Sequence, residues 1–456
     1  MKREDFVINQ HATLSESLQL INNNKHGFVL GCEDSGKIVG IATDGDIRRK
    51  LLDGRTLQDE LLTCLNEDFV WANETTSRET LLKCLDHRIR AIPVLDDRGG
   101  LVDIVTRENL PIQIEEPVYV RSRAPARISF GGGGSDITYY FSDNGGAVIS
   151  ATINLYSHAT LKKRDDARVR ILSRDLNCSL EAENLNAALK SPGKFGLILA
   201  IVRLVSPTFG FDLYLNSDFP VGSGLGGSAV VTAAVLGCFN QFRQDKWNNY
   251  ELAELAFQAE RMNFDIAGGW QDQYATVFGG FNFMEFKMDQ NLIHPLRIDP
   301  ATLRELEECL IICDTNMPHD SGKIHKDQKT TILKSDGSQA VMKNVEMTYR
   351  LRNDLLRGRL LDFGRNLNSI WQLKRQFSNK ITNPTLDEIY NYALENGAEG
   401  GKLMGAGGGG FFMFYVNPFN KYGLVEALES RGLGVRNFQF DNDGLQSWVV
   451  RATEKD

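Results

Sequence analysis

The chain has 456 residues, 42% of them hydrophobic and 24% charged, which is the composition of a folded protein with room for about three domains. Its formal net charge of −8 offers no basic field to nucleic acid or to an anionic membrane, so neither is expected as a partner.

The first residues, Met1-Lys-Arg-Glu-Asp-Phe-Val7, lack the apolar core of a signal peptide, and no apolar run approaches a membrane span. A cytoplasmic location is expected. From there the chain repeats itself. Val7 recurs as Val70, Thr13 as Thr76, Leu18 as Leu81, Thr43 as Thr106 and Asp46 as Asn109, each 63 residues later. Each copy reads as a threonine turn, an amphipathic helix (Leu14, Leu18, Ile21 in the first) and a strand. A glycine turn, a second strand and a Thr-x-x-Asp/Asn corner into a helix complete it. Two such copies make one face-to-face unit over residues 1–115, not a solenoid. Glu115-Glu-Pro-Val-Tyr119 reads as the linker that follows.

Gly40-Ile-Ala-Thr-Asp-Gly-Asp46 and Asp103-Ile-Val-Thr-Arg-Glu-Asn109 give this unit its resemblance to a cystathionine-β-synthase-type (CBS) repeat pair. The resemblance implies that AMP, ADP or ATP could be held there by Thr43, Asp46 and Thr106, with Asn109 standing where an aspartate is usual. The other reading stays open: a pair that only packs or supports a homodimer, with Thr43 and Thr106 capping helices.

Beyond the linker, strands are predicted at Val118–Arg121, Arg127–Phe130, Val169–Leu172 and Phe411–Val416. Helices are predicted at 195–204, 229–242, 251–262, 345–356 and 385–396. Without a regular βαβ rhythm this is a mixed α+β architecture, expected to form a lobe over 118–300 and another over 301–456. Cys309 and Cys313, followed by His319 and His325, have a superficial metal-site spacing, but Cys-Leu-Ile-Ile-Cys reads as a buried strand. All seven cysteines, an odd number, suit buried thiols in a reducing compartment better than disulfides.

Three glycine-dense segments punctuate this region: Phe130-Gly-Gly-Gly-Gly-Ser-Asp136, Pro220-Val-Gly-Ser-Gly-Leu-Gly-Gly-Ser-Ala229 and Gly405-Ala-Gly-Gly-Gly-Gly410. The second runs into an apolar helix. Glycines ahead of a helix start leave backbone N–H groups unpaired and pointing one way, with the positive end of the helix dipole behind them, which suits phosphate. No Gly-Lys-Ser or Gly-Lys-Thr occurs, so this is not a Walker loop.

The three segments, in this order and with Ala124-Pro-Ala-Arg-Ile128 ahead of the first, resemble the motifs of the GHMP kinases. Gly269-Trp-Gln-Asp-Gln-Tyr274 and Phe278-Gly-Gly-Phe-Asn-Phe283 resemble the branch that phosphorylates sugars at the anomeric carbon. Within it the first motif looks more like the heptose 7-phosphate kinases than the fucokinases. The fold implied is a two-lobed GHMP kinase module preceded by the CBS-type pair.

The resemblance also implies the roles of individual residues. ATP phosphates would lie on Gly222, Ser223, Gly224, Leu225, Gly226, Gly227 and Ser228, and Mg2+ on Ser228 and Glu260. Asp272 would accept or orient the attacking proton, with Arg127 beside it. Asp136, Gly133 and Gly134 would hold the sugar, and Gly405, Gly407 and Gly408 would support the phosphate loop.

Each residue has a plainer alternative. Asp272 or Ser228 could cap a helix, Glu260 could lie on a helix surface, and Asp136 could close an Asx-turn. Arg127 could be a structural ion-pair partner, and the third cluster could be tight packing alone. The function expected is ATP-dependent phosphorylation of a sugar phosphate, with a heptose 7-phosphate leading. Alternatives are a fucokinase or other sugar 1-kinase, and, from another class, a non-catalytic nucleotide-sensing protein. A basic pocket for a second phosphate would separate the first two, with His319–Lys326 as a candidate segment.

Overall fold

The computed structural model describes residues 3–86, 89–106, 109, 117–263, 268–317, 321–332 and 335–451. The chain divides into two compact units, Met1–Glu115 and Glu116–Asp456.

In the first unit the sequence repeat is a structural repeat. Val7–Asn9, Phe28–Cys32 and Ile38–Thr43 form one three-stranded sheet, and Ala72–Asn73, Ala91–Leu95 and Leu101–Thr106 form another in the same order. A bulge falls between Gly31 and Cys32 in one copy and between Val94 and Leu95 in the other. The helix caps differ slightly. Thr13 caps Leu14–Asn24 in a reciprocal box with Glu16, whereas Ser77, not Thr76, caps Arg78–Cys84. Phe28, Leu30 and Ile38 share a core with Leu95 and Ile104, which joins the copies.

The second unit is built on a nine-stranded sheet and a four-stranded sheet. Its longest strands are Pro117–Gly131 and Gly146–Lys163, paired antiparallel. Val118–Arg121 and Arg127–Phe130 are therefore one strand, not two. Pro125 does not break it because the ladder bulges between Pro125 and Ala126, one of the few places a strand tolerates proline. The strand begins at Pro117, so Pro117–Tyr119 is not linker; Glu115 and Glu116 lie outside the described residues. The four-stranded sheet runs Ala398–Leu403, Phe411–Val416, Leu310–Asp314, Gly434–Arg436. Phe440–Asp441 and Gln446–Arg451, from the end of the chain, leave it and pair with the two long strands of the first sheet. A single boundary near residue 300 therefore does not separate the lobes: Ser122 lies opposite Ser447, and nothing local in either strand names its partner.

Helix Gly227–Asn240 is buried along nearly its whole length, which suits its apolar sequence, and it starts two residues before the predicted 229. The predicted 251–262 helix divides into Asn249–Gln258 and a π-helical turn Ala259–Asn263. The 345–356 helix extends back to Ser335, and Leu360–Lys374 is a helix the pattern did not single out. Cys309 ends helix Pro300–Cys309 and Cys313 lies in the following strand, both buried. His319 lies outside the described residues, as do the side chains of Lys323, His325 and Lys326. No described helix is long and apolar enough to cross a membrane.

Candidate active site

A cleft of about 500 Å³ opens in the second unit, and all three glycine clusters contribute to its wall. The second and third clusters touch. A Cβ on Gly405 would lie 2.8 Å from Gly224 Cα, and both glycines have positive φ, so backbone approaches backbone where no side chain fits. Gly222, Ser223, Gly224, Gly226, Gly227 and Ser228 line the cleft, with Gly226 at the N-cap of helix Gly227–Asn240. Leu225 does not. It is fully buried, and its carbonyl accepts from Arg127 N. Gly407 and Gly408 also turn away from the cleft to pack on Ile381, with Gly408 N donating to Ile381 O. Alternation of small and apolar residues could not distinguish these from their cleft-facing neighbours.

Arg127 and Asp272 form the centre. The guanidinium is 4% exposed, and its Nε and Nη2 donate to Asp272 Oδ1 and Oδ2 at 2.8 and 2.7 Å. Its Nη1 donates to Gly224 O at 2.7 Å. Such a fork fixes both groups in plane and ties them to the glycine loop. Asp272 stands in the first turn of helix Gln271–Phe278, behind Trp270 at the N-cap position, so it is not the capping residue. A carboxylate there also meets the positive end of that helix.

Asp136, 6% exposed, accepts from Gly134 N and Gln271 N at 3.0 and 3.1 Å. Burial, with Asp272 nearby, raises its pKa against these two donors. Gly133 O accepts from Asn344 Nδ2, which fixes the first cluster to helix Ser335–Leu356.

Ser228 and Glu260 form a second polar node. Ser228 Oγ donates to Glu260 Oε2 at 2.6 Å, Gln273 Nε2 donates to Oε1 at 2.9 Å, and Arg261 Nη1 lies 3.6 Å from Oε2. Glu260 is 1% exposed, so the helix-surface reading fails for it. Burial raises its pKa, against the pull of Arg261 and the two donors. Among the described residues no cluster of three His, Cys, Asp or Glu side chains could hold a metal ion. A hydroxyl and a carboxylate do fit a hard cation that takes its other ligands from phosphate and water.

The sequence reading missed several cleft residues. Leu176, Leu197, Ile198, Leu215 and Phe219 make an apolar wall suited to a flat base. Lys374 and Lys402 line the floor almost fully buried. Burial, aided by Arg127, brings Lys374 down to about 7, against Asp272 and Asp136; burial, Lys374 and Arg127 lower Lys402 well below the usual range. Their sequence context is ordinary helix and strand, and carried no signal. Thr43, Asp46 and Thr106 belong to the first unit. Thr43 and Asp46 form a reciprocal capping box, and Thr106 Oγ1 accepts from Asn109 N.

Residues 196–280 match the GHMP kinases N terminal domain, 351–432 the GHMP kinases C terminal domain, and 1–53 and 61–110 the CBS domain. The chain is 36% identical over 337 residues to D-glycero-alpha-D-manno-heptose 7-phosphate kinase of Campylobacter jejuni, covering 73% of this chain and 99% of that one. It is 25% identical to L-fucokinase/L-fucose-1-P guanylyltransferase of Bacteroides fragilis, covering 70% of this chain but 37% of that protein. The crystal structure of a D-glycero-D-manno-heptose 1-phosphate kinase from Bacteroides thetaiotaomicron superposes with a TM-score of 0.59 at 31% identity, over 73% of this chain and all of that one.

Proposed function

The chain belongs to the GHMP kinases and carries a CBS pair at its N-terminal end, and from that membership we propose that it transfers the γ-phosphoryl group of ATP to the anomeric hydroxyl of a heptose 7-phosphate. The product is the 1,7-bisphosphate, a precursor of the kind used in nucleotide-sugar synthesis. The observation that carries this reading is the Arg127–Asp272 fork at the junction of the glycine loops, with Asp136 buried beside it.

In the proposed mechanism the nucleotide lies with its base on the apolar wall and its phosphates on Gly222–Ser228. The N–H groups at the start of helix Gly227–Asn240 meet the phosphates. Asp136 orients sugar hydroxyls. Asp272 accepts the proton of the anomeric hydroxyl as its oxygen attacks the γ-phosphorus and the bond to the bridging oxygen of ADP breaks. Arg127 keeps Asp272 in line and offsets charge on the attacking oxygen. Ser228 and Glu260 would hold magnesium, which neutralises phosphate charge when bound. A reducing, ATP-rich cytoplasm suits both the reaction and the buried thiols.

The test is a panel of free sugars and sugar phosphates with ATP and magnesium, read as ADP release. A heptose 7-phosphate should lead. Preference for free fucose would move the assignment to a fucokinase, and release with none would favour a non-catalytic nucleotide sensor.

A further inference from the structure

Lys374 has no part in the mechanism above, yet it is placed as though it should. It closes helix Leu360–Lys374, is 7% exposed, and lines the cleft. Its ammonium donates to Leu403 O and Gly405 O. Gly405 is the glycine that abuts Gly224, and Gly224 O accepts from Arg127. Arg127 and Lys374 are thus the two cations anchored on carbonyls at the contact between the second and third glycine clusters.

An ammonium has three hydrogens. Two go to these carbonyls, and among the described residues no third acceptor and no carboxylate within 4 Å is present. A buried cation held only by neutral carbonyls lacks the counter-charge that normally compensates its desolvation. The charged groups around it come from four elements: Arg127 on strand Pro117–Gly131, Asp136 before helix Thr138–Asn144, Asp272 on helix Gln271–Phe278, and Lys402 on strand Ala398–Leu403. Asp136 is already engaged by two backbone N–H groups and Asp272 by Arg127. The missing partner is an anion that arrives with the ligand.

We propose that Lys374 is a direct ligand of a phosphoryl anion in the cleft, donating its third N–H to that group from its anchorage on the third glycine cluster. The proposal rests on the kinase reading and adds to it a binding group on the lobe opposite the phosphate loop in sequence. Burial brings this lysine down to about 7 in the free protein, so at pH 8 an anion beside it restores charge and phosphoryl binding takes up a proton. The same chemistry could come from the γ-phosphoryl of the nucleotide or from the phosphate of the sugar, and the two sources are separable.

The experiment is titration calorimetry on the full chain near pH 8, with magnesium fixed, in two buffers of different ionisation enthalpy. The probes are ADP, a non-hydrolysable ATP analogue, and heptose 7-phosphate. Wild-type protein should take up a proton with the ATP analogue and not with ADP if the transferred group is the ligand. Uptake with the sugar phosphate alone identifies the substrate's phosphate instead. Lys374→Met should abolish the uptake and weaken the same probe roughly tenfold or more, leaving ADP affinity in place. Lys374→Arg, always charged, should abolish uptake while keeping most of the affinity. Binding without uptake in the wild type, or uptake unchanged in either variant, overturns the proposal whatever the folding of the other. Failure of both nucleotides to bind would overturn the kinase reading itself.

Discussion

Ser228 Oγ lies 2.6 Å from Glu260 Oε2, across 32 residues of sequence, and this contact joins the start of the phosphate-loop helix to the π-helical turn Ala259–Asn263. The hydroxyl spends its proton on the carboxylate, so both oxygens face the same small volume. That is the arrangement in which a magnesium ion could exchange for the hydrogen bond.

Ser228→Ala and Glu260→Gln should therefore each raise the magnesium concentration needed for half-maximal activity, since each removes one donor from a sparsely ligated ion. Glu260→Gln keeps volume and one acceptor, and should fold. Activity that rises with magnesium identically in wild type and both variants would remove the metal assignment from this pair.

Asp272→Asn should lower turnover by about 10²–10⁴ while nucleotide binding survives. The structure adds a cost to stability. Arg127 is nearly buried and gives two N–H groups to Asp272, and asparagine leaves one of them facing an amide. The Asp272 side chain is 28% exposed, which tempers this loss. A fall in melting temperature with activity intact would assign Asp272 to structure rather than chemistry.

What the sequence made legible follows from what glycine does. Gly224 and Gly405 must be glycines because their backbones touch, so the chain advertises the contact at both ends. Arg127, Asp136 and Asp272 were singled out by motifs that resemble those of the GHMP kinases, and the structure brings all three to one cleft. Lys374 and Lys402 were not singled out, because a lysine ending a helix or lying in a strand is the usual surface pattern, and only the long-range fold buries these two. Likewise the 63-residue offset carries Phe28–Cys32 onto Ala91–Leu95 and Ile38–Thr43 onto Leu101–Thr106, though not Val7–Asn9 onto Ala72–Asn73, while the return of Gln446–Arg451 to the first sheet had no local signature. Periodicity reports which face of an element is buried, not which element covers it.

Gly269→Ala tests the sugar side separately. A Cβ there would lie 1.8 Å from Asp136 Oδ2, so the carboxylate or the loop must move. Since Asp136 is placed by Gln271 N from the same segment, the expected result is a raised KM for the sugar with ADP affinity little changed. Equal loss of nucleotide and sugar binding would show that the loop, not Asp136, had been disturbed.

The repeat unit can be tested by removing it. A chain of residues 117–456 should fold and phosphorylate, because the first unit has its own cores. If the CBS pair holds an adenine nucleotide, the full chain should bind one AMP or ADP more than the shortened one by calorimetry. Thr43→Ala should remove most of that extra binding. Thr43 and Asp46 already satisfy each other in a capping box, so Thr43→Ala should also destabilise its helix by about 1 kcal/mol. Equal stoichiometry in the two chains would leave the pair a packing or dimerising element.

A 7-phosphate brings nearly two negative charges to a chain of net charge −8, so productive binding needs local Lys, Arg or backbone donors. Of the cations on the described cleft wall, Arg127 is committed to Asp272, which leaves Lys194, Lys374 and Lys402 with only neutral or distant partners and Arg261 beside Glu260. Attraction of this kind is screened by salt. The KM for heptose 7-phosphate should rise with ionic strength, while that for an uncharged heptose should not. Each charge-assisted contact is worth about 1.5–3 kcal/mol, so the unphosphorylated sugar should be at least tenfold poorer in kcat/KM. A preference for the free sugar, or a KM indifferent to salt, would reject the 7-phosphate while leaving a sugar kinase of the same family.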